Sequence, residues 1–166
     1  MSTTKQLWAP WRMTFLKSEN PAQQGCIFCN LLKANRDSEN LILHRSSLSF
    51  VILNRYPYNN GHLMVVPLQH TADMDTLKPE EQSDISRLTQ HCIKALKETY
   101  RPEGFNIGMN LGAAGGAGIR EHLHTHIVPR WTGDTNFMPV LADVKTMPQH
   151  LEESFTQLAP YFRRIS

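Results

Sequence analysis

Between Glu121 and Trp131 the chain reads EHLHTHIVPRW, with histidines at 122, 124 and 126. Near neutral pH the imidazole ring serves as nucleophile, proton carrier or metal ligand. On a β-strand alternate residues share a face, so His122, His124 and His126 point one way and Leu123, Thr125 and Ile127 the other. Successive imidazoles then stand roughly 6.5–7 Å apart. Burying three of them without partners would cost several kcal/mol, so this face must meet something polar. A row of surface histidines, or core histidines satisfied by backbone, is the bland alternative, and three on one strand face argue against it. Two chemistries fit. Two of the histidines can share a metal that keeps an open position, as in catalytic zinc sites. Alternatively one imidazole attacks phosphorus while its neighbours carry protons.

The stretch just upstream favours phosphorus. NLGAAGGAG (Asn110–Gly118) holds four glycines and three alanines. Glycine permits positive φ and close backbone approach, so successive N–H groups can turn toward an anion. This is no P-loop, since G-K-[ST] is missing and a strand follows instead of a helix. Alone it reads as a hairpin link, but beside the histidine face it reads as a phosphate cradle. Far upstream, Cys26 and Cys29 form C-x-x-C, which means a redox pair, half a metal site or two small core residues. The chain has only three cysteines, too few for a secreted disulfide framework. The third, Cys92, falls in a helical pattern and is expected to be a small buried hydrophobe.

These groups need a frame. Cys26–Ala34 starts as a metal knuckle and continues as a short helix. LILHR (Leu41–Arg45) and LSFVILN (Leu48–Asn54) read as a hairpin, RYPYNNG (Arg55–Gly61) as a turn, and HLMVVP (His62–Pro67) as a third strand. From Pro79 to Tyr100, apolar residues at Ile85, Leu88, Cys92, Ile93 and Leu96 recur at helical spacing. Pro79 suits the first turn and Pro102 follows the end. Phe105–Asn110 and His122–Trp131 are two more strands, and Gln149–Arg164 reads as a C-terminal helix that Pro160 shortens or kinks. Strands, one long helix, strands and a tail predict an α+β fold, an antiparallel sheet with the helix on one face. The organisation is an irregular arm over residues 1–24, whose Trp8, Pro10 and Trp11 must pack on something, and a single domain over 25–166.

The chain has 166 residues, 40% of them hydrophobic and 19% charged, which is an ordinary globular balance. A net charge of +2 suits small anionic ligands, and no Lys/Arg block marks a nucleic-acid groove. No signal peptide or run of about 18 apolar residues is present, so a cytoplasmic protein without membrane attachment is expected.

HLHTHIV resembles the signature of the histidine-triad (HIT) superfamily, His-φ-His-φ-His-φ-φ with φ apolar, departing mildly at Thr125. FVILNRYPYNNGHLMVVPLQH (Phe50–His70) is similar to that family's upstream strand–turn–strand. GFNIGMNLG, VPRWTGDTNFMPV and the LWAPWR arm resemble a bacterial branch of diadenosine-tetraphosphate phosphorylase-like or hydrolase-like proteins. The likeness covers about residues 5–150. It implies a HIT-like sheet and a homodimer. It also implies that His124 attacks the α-phosphate of an adenine-type dinucleotide to form a nucleotidyl-histidine that water or phosphate then releases. His126 would hold phosphate oxygens or assist the leaving group, Asn54 would meet the ribose region, and His62 and Asn110 would lie near the phosphates. Relatives commonly carry Gln, Ser or Thr in the loop before the triad, whereas Gly116, Ala117 and Gly118 offer only N–H groups. The resemblance further implies a structural zinc held by Cys26, Cys29, His70 and His122, with His44 as rival fourth ligand, and no organic cofactor. Three other functions stay open: a phosphoramidate hydrolase of the same superfamily, a zinc-dependent hydrolase and a non-enzymatic nucleotide-binding adaptor.

Overall fold

The computed structural model describes residues 25–134, 149–163 and 165. The N-terminal arm with its tryptophans, together with Thr135 and Asn136, lies outside them. Helix α1 (Ile27–Ala34) opens the domain and is followed by β1 (Ile42–Arg45), β2 (Ser49–Leu53) and β3 (Leu63–Pro67). A 3-10 turn (Met74–Thr76) leads into α2 (Pro79–Tyr100), then β4 (Gly104–Met109), β5 (Thr125–Arg130) and α3 (Leu151–Phe162). The strands form one antiparallel sheet in the order β1-β2-β3-β5-β4. Every link is a hairpin except the crossing from β3 through α2 to β4, and β5 returns into the gap that this crossing leaves.

Register decides which side chains meet. Opposed residues on antiparallel strands share a face. The pairs Val51↔Val65↔Thr125 and Leu53↔Leu63↔Ile127 define one face, and Ile52↔Met64↔His126 the other. Helix α2 lies on the first face through its buried stripe Ile85, Leu88, Cys92, Ala95 and Leu96. Cys92 is fully buried among apolar neighbours, and burial pushes its thiol pKa far up. It is the small hydrophobe its position implied.

The capping is local chemistry. Pro79 occupies the start of α2, and the Glu81 carboxylate accepts the Lys78 N–H at 2.8 Å. At the other end Arg101 takes a left-handed conformation just before Pro102. The turn from β2 to β3 packs so closely on α2 that Gly61 has no alternative. Its φ is +71°, and a Cβ there would stand 2.8 Å from the Tyr100 ring. Helix α1 is tied to β1 by Arg45, which donates to Leu32 O at 3.2 Å and pairs with Asp37 at 2.6 Å. This clamp holds the C-x-x-C segment over the second sheet face, where Phe28 meets Phe50 edge-on at 6.1 Å. Helix α3 is shorter than Gln149–Arg164 and carries Pro160 within its last turn.

One strand departs from the sequence expectation. It begins at Thr125, so His122 and His124 precede the ladder. The cause is the partner: β4 ends at Met109, opposite Thr125, and nothing continues the pairing. The Leu123 N–H instead donates to Thr71 O at 2.8 Å, which draws this segment toward the exit of β3.

Candidate active site and metal centre

That bend breaks the expected row of three equivalent imidazoles. His122 leaves it altogether. Its Nε2 lies 2.9 Å from Pro67 O, and a carbonyl only accepts, so Nε2 carries the hydrogen and Nδ1 the lone pair. Nδ1 faces Cys26 Sγ at 3.2 Å, Cys29 Sγ at 3.7 Å and His70 Nδ1 at 3.4 Å, and Cys29 Sγ stands 3.5 Å from His70 Nδ1. The ligand atoms of Cys26, Cys29, His70 and His122 all lie within 4.8 Å of one another. A tetrahedral ion with zinc's bond lengths would space sulfur and nitrogen about 3.5 Å apart and two nitrogens about 3.4 Å apart. The four contacts of 3.2–3.7 Å bracket those spacings. Burial holds the His122 imidazole below its ordinary pKa, keeping it neutral as a ligand must be. The Pro67 carbonyl aims the ring as outer partners of metal-bound histidines do.

His44 is not part of this cluster. Opposed to Val51, it lies on the α2 side of the sheet beside Asp84, Arg87 and Phe162. A ligand there would have to pass through the sheet, because neighbouring strand residues alternate faces. The groups brought together are therefore the two cysteines, His70 and His122.

His124 and His126 stay as a pair. Their rings meet at 4.8 Å in a T-shape, closer than the strand repeat would set them. His124 Nδ1 lies 2.8 Å from His122 O, so Nδ1 carries its hydrogen and Nε2 keeps the lone pair. Phe28 leans on both His122 and His124, at 5.4 and 5.3 Å between ring centres. His124 and His126 are 5% and 9% exposed.

Behind His126 stands His62, fully buried. The Tyr58 N–H donates to His62 Nδ1 at 3.0 Å, and Asn54 Nδ2 reaches the same atom at 3.4 Å. Nδ1 is therefore an acceptor, and His62 Nε2–H donates to His126 Nδ1 at 2.9 Å. The Tyr58 ring also stacks on His62 at 4.8 Å. Asn54 otherwise serves its own turn, since its Oδ1 accepts the Tyr56 N–H at 2.9 Å.

In the glycine-rich loop, Gly116 N–H bonds Ala113 O at 3.1 Å and Ala117 N–H bonds Gly112 O at 3.2 Å, so both amides close the loop on itself. Gly115 allows that closure, because a Cβ would sit 2.3 Å from Leu111 O. Asn110 directly follows Met109, the residue opposed to Thr125, and Gly118 lies four residues before His122. Two participants carry no chemical signal in the sequence. Phe28 reads only as an apolar residue between the cysteines, and Tyr58 contributes mainly its backbone.

Comparison with known proteins identifies the family. A family model described as HIT domain matches residues 35–133. An AP-4-A phosphorylase of Mycobacterium tuberculosis is 38% identical over 170 residues, covering 96% of this chain and 85% of that protein. Adenosine 5'-monophosphoramidase hnt1 of Schizosaccharomyces pombe is 33% identical over 106 residues, covering 64% of this chain and 74% of its own length. Among solved structures, a Zn-bound histidine triad family protein from Mycobacterium smegmatis superposes with a TM-score of 0.67 at 26% identity. That match covers 84% of this chain and 94% of that one. With the family model covering more than half of its length and the nearly full-length likeness to a curated relative, the chain belongs to the HIT domain family.

Proposed function

We propose that the protein cleaves dinucleoside polyphosphates of the diadenosine-tetraphosphate type by nucleotidyl transfer through His124. The observation that carries this reading is the His124 Nδ1 contact with the His122 carbonyl, which places a hydrogen on Nδ1 and orients Nε2 as the attacking nitrogen. In the first step Nε2 attacks the α-phosphorus. A P–N bond forms, the P–O bond to the β-phosphate breaks, and the electron pair leaves with the polyphosphate. In the second step an oxygen of phosphate or water attacks the same phosphorus and breaks the P–N bond. His126 serves the phosphate oxygens with His62 behind it, Asn54 meets the ribose region, Asn110 lies near the phosphates, and the Gly116–Gly118 segment shapes the phosphate approach. The likeness to a phosphorylase along nearly the whole chain supports this substrate class over phosphoramidates, where the likeness is shorter.

Incubating the protein with diadenosine tetraphosphate, with and without inorganic phosphate, tests the reading by anion-exchange chromatography of the products. ADP plus ATP formed only with phosphate is the expected phosphorylase result. AMP plus ATP in either buffer assigns a hydrolase. Tight nucleotide binding without any product would overturn the enzymatic reading in favour of an adaptor. A hydrolase with an open catalytic metal is disfavoured by geometry, since only His122 of the triad lies in the metal cluster.

Cys26, Cys29, His70 and His122 would hold zinc as a closed four-ligand site that fastens α1 to the segment before β5. The reduced thiols that this requires fit a cytoplasmic setting. Among the described residues no helix is long and apolar enough to cross a membrane.

The partner is a second copy of this chain, paired along β4. That strand lies at the sheet edge and exposes Ile107 (47%), with Leu111 (48%) just beyond it. An edge with free backbone donors and apolar side chains invites strand pairing unless something covers it. Sedimentation equilibrium is expected to give twice the 19.0 kDa chain mass, and Ile107→Lys is expected to give the monomer. A native protein sedimenting as a monomer at micromolar concentration would end this proposal.

A further inference from the structure

We infer that Asn59 and Asp134 are positioning residues that, through the Tyr58 amide, decide which nitrogen of His126 carries its hydrogen. A peptide N–H can only donate. Tyr58 N–H therefore makes His62 Nδ1 an acceptor, His62 Nε2 a donor, and His126 Nδ1 an acceptor in turn. His126 is left with its hydrogen on Nε2. The polarity of the relay is set at its far end, chiefly by the backbone amide that the 57–61 turn holds at 3.0 Å, with Asn54 Nδ2 a longer second donor at 3.4 Å.

That turn rests on α2 at Gly61 and reaches Gln149 through Asn60 at 3.3 Å, and the buried Asn59 side chain ties it to β5. Asn59 Nδ2 donates to Pro129 O at 3.1 Å and to Asp134 Oδ2 at 2.8 Å. The Asn59 backbone carbonyl accepts the His62 N–H at 3.2 Å, and Asn59 Oδ1 accepts the Asn60 N–H at 3.2 Å. Asp134 is itself fixed by Arg130, whose Nε and Nη2 donate at 2.6 and 2.8 Å, and it accepts the Trp131 N–H at 3.1 Å. The circuit closes on one strand. Both the end of β5, at Pro129 and Arg130, and its second residue, His126, are tied to the same turn, so the end of the strand sets the state of its active-site histidine.

Were the turn to relax by about 1 Å, the Tyr58 amide would lose Nδ1, the longer 3.4 Å Asn54 contact would hold it less firmly, and His62 could take its other tautomer. His62 Nε2 would become the acceptor, His126 Nδ1 the donor, and His126 Nε2 would present a lone pair. A lone pair repels phosphate oxygens that an N–H would bind. Neither Asn59 nor Asp134 needs to touch a substrate for this. The kinetic consequence rests on the nucleotidyl-transfer reading, whereas the hydrogen placement does not.

Long-range 1H–15N correlation spectra of the histidine rings test it on the metal-loaded, full-length protein. The native protein should show His62 and His126 with hydrogen on Nε2 and His124 with hydrogen on Nδ1. In Asn59→Ala, His62 and His126 should move to the other tautomer or to an average, with His124 unchanged. The accompanying kcat should fall about 10-fold at a KM within roughly twofold. Asp134→Asn, which keeps the side-chain shape, should move the same signals less, and it decides the matter if Asn59→Ala does not fold. A native His126 with hydrogen on Nδ1 overturns the inference. So does a folded variant whose ring signals and kcat both match the native protein. If native protein turns over no nucleotide, the function proposed above fails while the ring signals still decide this one.

Discussion

Replacing His124 with alanine is expected to abolish turnover of diadenosine tetraphosphate, with a loss of at least ~10³-fold, while nucleotide binding changes by only a few fold. The nucleophile is the one group in the site with no substitute. His122 has its lone pair turned into the cysteine cluster, and His126 receives the His62 N–H on Nδ1. Water would have to attack phosphorus directly, giving back the gain of splitting one displacement into two. Acid quench of a single turnover, followed by mass spectrometry of the His122–Arg130 peptide, should find a nucleotidyl adduct in native protein and none in His124→Ala. His126→Ala should cost less, about 10²-fold, because it removes stabilisation of charge and not the bond-forming atom. A His124→Ala protein that keeps more than a tenth of native turnover would remove His124 from the nucleophilic role.

Much of this site was legible because it depends on local pattern. The short β-branched, apolar runs of β2 and β3, buried at every position, and the helical period from Ile85 to Leu96 are properties of short stretches, and the sheet and α2 formed where those patterns placed them. The pairing of Cys26 and Cys29 with His70 and His122 came from resemblance, and the structure gathers those four side chains. What could not be read depends on contacts distant in sequence. Nothing in HLHTHIV says that β4 stops at Met109, yet that stop frees His122 to bend toward Pro67 and Thr71. Strand periodicity assigns three like histidines to one face; the missing partner strand divides them into a ligand and a pair. The loop amides were equally hidden, since glycine content permits many conformations and does not reveal that Gly116 and Ala117 bond within the loop. The Tyr58 relay was the least visible, because its deciding group is a backbone N–H that every residue but proline has.

The division of the triad would also make a metal held by Cys26, Cys29, His70 and His122 a matter of folding more than of chemistry. Purified protein is expected to carry about one zinc per chain, and Cys26→Ser to carry less than a tenth of that. Without an ion, two thiols and two imidazoles would stand crowded at 3.2–3.7 Å with no shared centre to hold them together. Burial already pushes the Cys26 thiol pKa up, so without a cation it stays protonated and contributes no charge to the cluster. Helix α1 then keeps the Arg45 clamp, the Asn40 bond to Leu31 O and its apolar packing through Phe28, Leu31 and Leu32, while the segment before β5 keeps the Leu123 and Pro67 hydrogen bonds. Structural zinc contributes many kcal/mol where the fold depends on it, and even a fraction of that lowers Tm by roughly 10 °C or more in a domain of this size. Differential scanning calorimetry of Cys26→Ser beside native protein, with zinc measured by elemental analysis, reads both quantities. A closed four-ligand site also predicts slow chelation. Zinc should leave at the rate at which α1 detaches, and turnover should fade with it instead of stopping on mixing. Instant, fully reversible inhibition by a chelator, with Tm unchanged, would show an open ion taking part in the reaction and would return the histidines to that role. A metal-free native protein with the same Tm would mean that the cluster is held by packing alone.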